Sequence, residues 1–134
     1  TLLSDRTPRI MENITKLSQA GFRIELDDFG TGHTAISSIL NFPVSQIKVD
    51  RSLITDIDTD KRRQAVSHSI FELGAKLGIE VLAEGIETEA EMDFLRSTSC
   101  QYAQGYYIAR PMSLSDLMDW IGKRGATSTA AARA

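Results

Sequence analysis

The sequence predicts an α/β fold of parallel strands joined by crossover helices, either an open doubly wound sheet or part of a (β/α) barrel. Three observations carry this expectation. After an opening helix, β-like runs alternate with helical stripes four times, the order that parallel connections require. Three successive strands have one polar face each, whereas parallel strands covered on both sides read as unbroken apolar runs, so the polar face suits a barrel interior opening on a site. Finally, 134 residues at 42% apolar and 25% charged are enough for one domain with a real core. The competing pattern is a sheet with helices on one side and solvent on the other.

The elements follow from local signals. Ser4, Asp5 and Thr7 are cap candidates for the opening helix, Pro8 sits in its first turn, and Ile10, Met11, Ile14 and Leu17 recur at helical spacing before Gly21 stops it. The first strand is expected over Phe22 to Leu26, running into a glycine-rich turn, Asp27-Asp28-Phe29-Gly30-Thr31-Gly32, and a short helix from about Thr34 to Leu40, ended by Phe42-Pro43. The second strand is Gln46 to Asp50. After a loop comes a long helix with a Val66, Ile70, Leu73 and Leu77 stripe closed by Gly78. The third strand is Ile79 to Ala83. Thr88 with Glu91 three residues on forms a capping box for a helix carrying Met92, Phe94 and Leu95. A weaker strand lies near Tyr102 to Gln104, and Ser113 and Asp116 repeat the capping pattern before a helix with Leu114, Leu117, Met118 and Ile121. The composition then shifts, and residues 122–134 read as a disordered C-terminal tail behind a domain of residues 1–121.

Strand parity sorts the side chains. Phe22, Ile24 and Leu26 oppose Arg23, Glu25 and Asp27; Ile47 and Val49 oppose Gln46, Lys48 and Asp50; Val81 and Ala83 oppose Glu80, Leu82 and Glu84. Chemistry in such folds collects at the carboxyl ends of the strands, where Asp27, Asp28, Asp50, Glu84 and Glu87 stand, with Lys48 one residue deeper. Adjacent carboxylates repel, so Asp27-Asp28 invites a hard cation with oxygen ligands, magnesium or manganese. A lysine among them is a charge partner or orients a water, and metal ions with a positioned water are a standard arrangement for cleaving phosphodiesters. The alternative is that Lys48 only neutralises its neighbours and the Asp pair caps the next turn. Arg110-Pro111 is placed to meet a phosphate or a base, or is simply exposed.

Several function classes drop out. With 15 Lys+Arg against 18 Asp+Glu, the net charge is -3, and the basic footprint of a protein that grips polymeric nucleic acid is absent. No apolar run approaches the ~18 residues of a membrane span, and the first residues carry neither a basic segment nor an apolar signal core, so no membrane contact and a cytoplasmic location are expected. Cys100 is the single cysteine, which excludes an internal disulfide and a cysteine-cluster zinc site. The Gly30-Thr31-Gly32 loop lacks the dinucleotide fingerprint and the phosphate-loop lysine. His33 and His68 are isolated, and Ser52 and Ser67 have no nearby histidine in a nucleophilic arrangement.

Four ordered motifs remain: Asp27-Asp28-Phe29-Gly30-Thr31-Gly32, Ile47-Lys48-Val49-Asp50-Arg51-Ser52, Ala83-Glu84-Gly85-Ile86-Glu87-Thr88 and Gln104-Gly105-Tyr106-Tyr107. In order and separation they resemble the EAL-domain family of bacterial cyclic di-GMP phosphodiesterases, over nearly all of residues 1–121. The resemblance implies a TIM-type (β/α) barrel, metal-dependent hydrolysis of cyclic di-GMP to the linear dinucleotide pGpG, and a place in the cytosolic part of a larger signalling protein. It implies that Asp27 and Asp28 bind Mg2+ or Mn2+, that Lys48 holds the attacking water, and that Glu84 acts in the metal site or in proton transfer. Glu87 and Gln104 would support the site, with Gly105, Arg110 and Pro111 near the substrate.

A complete barrel takes ~250 residues, and what is present resembles the last four βα units. The Glu-Ala-Leu segment that names the family is missing, with the asparagine and glutamate that upstream strands supply to the metals. Each lost oxygen weakens the charge compensation of a divalent ion, and a misplaced water loses its in-line geometry. The expectation is therefore that this chain alone is not a competent phosphodiesterase. Three readings stay open: the C-terminal part of an EAL phosphodiesterase, a non-catalytic module that binds cyclic di-GMP or a protein, and a half barrel closed by a second copy or by a separate N-terminal half.

Overall fold

The computed structural model describes residues 7–31 and 36–131. In chain order the elements are α1 (Thr7–Gln19), β1 (Glu25–Phe29), α2 (Ile36–Asn41), β2 (Gln46–Val49), α3 (Arg51–Ile54), α4 (Lys61–Leu77), β3 (Glu80–Glu84), α5 (Glu89–Arg96), β4 (Tyr102–Gln104) and α6 (Leu114–Ala131). The four strands form one sheet in the order β1-β2-β3-β4, every pair parallel. This is the α/β fold the alternation predicts. The sequential order has no reversal, so among the described strands it lacks the switch point of a doubly wound sheet and follows the progression of a barrel wall. Ser4, Asp5, Gly32, His33 and Thr34 lie outside the described residues.

The central strands decide the layering. Ile47, Val49, Val81 and Ala83 are fully buried, and with Phe29, Ile54, Ile57, Phe71 and Ile86 they form the core. Side chains alternate along a strand, so Gln46, Lys48, Glu80, Leu82 and Glu84 stand on the opposite, half-buried face. Leu117 and Trp120 of α6 lie against part of that face, bordering a cleft of about 460 Å³ with Gln46, Leu82 and Tyr102. At the amino end Arg23 pairs with Glu80, whose Oε1 also accepts from the Tyr102 hydroxyl at 3.2 Å.

The first strand lies three residues later than the pattern suggests, at Glu25–Phe29 rather than Phe22–Leu26, and Phe22 is exposed. The cause is a β-bulge. Leu26 faces Ile47 and Phe29 faces Val49, so three steps on β1 match two on β2. Asp28 takes up the extra residue with φ at 52°, in the left-handed region that Asp tolerates better than most residues. Without it Leu26 and Phe29 would point to opposite faces; with it both reach the core.

Other differences have local causes. The third strand is Glu80–Glu84, one residue later than expected, and the loop after β2 holds the helical turn α3. On α4 the buried residues are Ser67, Ile70, Phe71 and Gly74; of the expected stripe Ile70 is buried and Leu73 packs partly buried against the core, while Val66 and Leu77 are about half exposed. A Cβ on Gly74 would collide with Val81 Cγ2, so the absent side chain lets α4 lie directly on β3. Ser67 is buried with its hydroxyl donating to the Leu53 carbonyl at 3.3 Å. Where a disordered tail was expected from residue 122, α6 continues to Ala131; Lys123, Arg124 and three later alanines are good helix formers and offset the cost of two glycines.

Several caps are as the sequence predicts. Gly78 closes α4 in the left-handed conformation, Thr88 and Glu91 form a reciprocal capping box on α5, and Ser113 Oγ accepts from the Asp116 amide at 3.2 Å. Gly105 is a close-approach glycine: a Cβ there would overlap the Ile86 backbone, whose N–H donates to the Gln104 carbonyl at 3.1 Å and whose carbonyl accepts from Tyr107 at 3.0 Å. Replacing Gly105 by alanine is expected to cost about 1–3 kcal/mol through this overlap. Gly122→Ala, where an added Cβ meets nothing, is expected to gain up to about 1 kcal/mol. Urea midpoints of the two variants moving in the same direction would contradict this assignment.

Candidate functional site

The ionisable residues of the sheet gather at the carboxyl end of its polar face. Lys48, on β2, lies between two carboxylates from the flanking strands: its Nζ is 2.9 Å from Asp27 Oδ1 on β1 and 2.8 Å from Glu84 Oε1 on β3. Parallel register brings them together. Lys48 pairs with Leu82, which puts Glu84 one same-face step further along β3, and the bulge sets Asp27-Asp28 opposite Lys48 on the other side. The Lys48 and Glu84 side chains are only 22% and 19% exposed, so this pair is partly shielded from water; Asp27 is 64% exposed. The hydrogen bond from Lys48 holds the Asp27 carboxyl below the usual carboxylate range, and bonds to Glu84 and then Asp27 push the Lys48 ammonium up. Asp27 Oδ1 also accepts from the Asp28 amide at 3.0 Å.

The remaining candidates are divided. Asp28 is exposed at the bulge beside this cluster, and its carbonyl accepts from Thr31 N–H and hydroxyl. Asp50 ends outside the strand as the N-cap of α3, accepting from the Ser52 amide at 2.9 Å; those Ser52 bonds lower its carboxyl and engage it locally. Glu87 lies exposed in the loop beyond β3, while Lys48 pairs with Asp27 and Glu84. Gln104 pairs in register with Glu84 across β3 and β4. From there a second feature begins, a cleft of about 340 Å³ bordered by Gln104, Gly105, Tyr106, Arg110, Pro111 and Met112. The Arg110 guanidinium lies 4.4 Å from the centre of the Tyr106 ring. Asp27, Lys48 and Glu84 do not line this cleft; Gln104 connects the two.

One participant goes beyond what the sequence suggests. Glu91 looks like half of a capping box, yet it is 3% exposed and its carboxylate accepts three backbone N–H groups: Asp56 at 3.0 Å, Glu87 at 2.8 Å and Thr88 at 3.1 Å. Burial pushes its carboxyl up, the three donors outweigh that, and the net shift is downward. Only its spacing to Thr88 is visible in the sequence; the partner Asp56 is 35 residues away.

The EAL domain family model matches residues 2–111. The chain belongs to the EAL domain family. It is 35% identical over 117 residues to the cyclic di-GMP phosphodiesterase NbdA of Pseudomonas aeruginosa, a match covering 87% of this chain and 15% of that protein. Among solved structures it superposes on the c-di-GMP complex of the PaMucR phosphodiesterase with a TM-score of 0.75 at 34% identity, covering 83% of this chain and 45% of the other. A manganese/cy-diGMP complex of BlrP1 from Klebsiella pneumoniae gives a TM-score of 0.72 at 35% identity, covering 76% and 26%. The chain spans 14%, 12% and 15% of the length of the first three curated relatives it matches. No described helix is long and apolar enough to cross a membrane.

The EAL fold raises the question of a divalent ion, and the described residues do not form a site for one. Among them, no three His, Cys, Asp or Glu side chains converge on a common point, and Asp27 and Glu84 both face the Lys48 ammonium. Replacing Lys48 by methionine leaves two carboxylates across the sheet without the cation between them, and is expected to cost about 1–3 kcal/mol at pH 7. The wild-type chain carries a matching pH dependence. Asp27 and Glu91 both have folded-state pKa values below their unfolded ones, so their contribution is complete above the unfolded carboxylate range and is lost as pH falls below about 4. Urea midpoints are expected to hold between pH 7 and about 5 and drop below about 4, with the Asp27 part of that drop missing in the Lys48→Met chain.

Proposed function

We propose that this EAL chain carries the carboxyl-terminal part of a cyclic di-GMP phosphodiesterase site, and that on its own it does not turn the nucleotide over to pGpG. The observation that carries the reading is the Lys48 ammonium held between Asp27 and Glu84 at the carboxyl ends of three parallel strands, in a chain whose relatives include cyclic di-GMP phosphodiesterases. In this reading Lys48 positions the attacking water and holds the Asp27 carboxyl below the usual carboxylate range. Glu84 acts in the metal site or takes the proton that the attacking water gives up, Glu87 and Gln104 support the site, and Gly105, Arg110 and Pro111 bound the nucleotide. Mg2+ or Mn2+ would meet Asp27, Asp28 and Glu84 only where further ligands complete the shell, because these carboxylates do not converge as a cation site by themselves.

A second reading, a module that binds cyclic di-GMP without cleaving it, is favoured by the cleft beside Gln104. Arg110 there offers a guanidinium suited to a phosphate and already stacked on an aromatic ring. Both readings place the chain in cyclic di-GMP signalling with no role for polymeric nucleic acid. They differ in what the isolated chain does.

The discriminating experiment incubates the purified chain with cyclic di-GMP and Mg2+ or Mn2+ and follows pGpG by chromatography, with Asp27→Ala as control. No product above the control is expected. Product that disappears with Asp27→Ala would show that the described residues suffice for hydrolysis and would overturn the inactivity proposed here. Calorimetric binding of cyclic di-GMP without turnover, weakened at least tenfold by Arg110→Ala, is the outcome expected from the second reading.

A further inference from the structure

The loop that follows Glu84 is held by a residue that belongs to neither the charge cluster nor the nucleotide cleft. We propose that Glu91 is a positioning residue: its buried carboxylate ties the β3–α5 loop to the α3–α4 turn and thereby fixes Glu84 against Lys48. The proposal deepens the reading above, since it rests on the Asp27–Lys48–Glu84 cluster being the site.

The geometry carries it. A capping box needs one bond from the Glu side chain to the N-cap amide, which Oε2 makes with Thr88. Glu91 does more. Oε2 also accepts from the Glu87 amide, three residues after Glu84, and Oε1 accepts from the Asp56 amide, in the turn between α3 and α4. Asp56 adopts φ of 58°, which turns the chain between those two helices. The turn belongs to the connection that leaves β2 just after Lys48, and α3 begins at Arg51. One carboxylate therefore bridges the segment downstream of Lys48 and the segment downstream of Glu84. The groups facing it are backbone N–H donors and the Thr88 hydroxyl, and a buried anion so supplied resists replacement by any side chain that itself donates.

Two variants separate positioning from helix capping. Thr88→Ala removes the hydroxyl that accepts from the Glu91 amide at 3.2 Å but leaves the Glu91 carboxylate its amide donors. Glu91→Gln keeps the shape and sets an NH2 group against backbone N–H groups. The readouts are hydrogen exchange of the Asp56 and Glu87 amides and the Lys48 ammonium cross-peak in 15N NMR of the full chain. Glu91→Gln is expected to speed exchange at both amides at least tenfold and to shift or broaden the Lys48 signal, while Thr88→Ala leaves both unchanged.

Equal effects of the two variants on the Lys48 signal, or an unchanged signal in Glu91→Gln, would overturn the proposal. So would wild-type exchange at Asp56 as fast as in an unprotected turn, a measurement that does not depend on either variant folding. Calorimetry with cyclic di-GMP and the wild-type chain is the separate arm: absence of binding there counts against the nucleotide reading, while the amide and ammonium measurements still decide the role of Glu91.

Discussion

The two-residue period of the central strands, with one face sealed against helices, is the constraint on which the rest of this structure depends. Ile47, Val49, Val81 and Ala83 lose all contact with water, and each such burial contributes on the order of 1–3 kcal/mol for the larger side chains. That gain commits the alternate positions to the opposite face. Lys48 and Glu84 are thus brought out of bulk water as a consequence of packing elsewhere, and register makes them partners there, Nζ to Oε1 at 2.8 Å. The same sealed face explains why a glycine, Gly74, stands where α4 comes closest to Val81 of β3.

How much of this was legible in the sequence depended on the range of the interaction that fixes each feature. Gly78, the Thr88–Glu91 box and Ser113–Asp116 act within four residues, and the sequence announces them. Parity on β2 and β3 is also local, so the common face of Lys48 and Glu84 could be read directly. The position of β1 could not. Its bulge answers to the demand of Ile47 and Val49 for partners at Leu26 and Phe29, and the sequence there offers Asp28 where a glycine would have signalled the left-handed residue. The buried face of α4 was legible at Ile70 and Leu73, and the rest of it was hidden for a related reason. Hydropathy favours Val66 and Leu77, whereas the selection is made by how closely Val81 approaches.

The site shows the same division. Motif order pointed to Asp27, Lys48, Glu84 and Gln104, and three of these meet around a single ammonium while the fourth adjoins Glu84 in the sheet. The carboxylate that organises the surrounding loops, Glu91, draws one of its partners from 35 residues away and carries no signature beyond a helix cap. Charge cluster and aromatic cleft are separate features sharing Gln104, so loss of one need not abolish the other. None of Asp27, Lys48 and Glu84 lines the aromatic cleft, so its walls do not depend on how the two carboxylates are engaged.

The bulge at Asp27-Asp28 also sets a rule for chain length. Deleting one residue there would restore an unbroken ladder between β1 and β2 with Leu26 and Phe29 still on the core face, but only one residue on the lysine-bearing face would then stand between them, where Asp27 and Asp28 stand now. The extra residue is therefore what lets two adjacent carboxylates, rather than one, stand beside Lys48 between two core positions of a single strand.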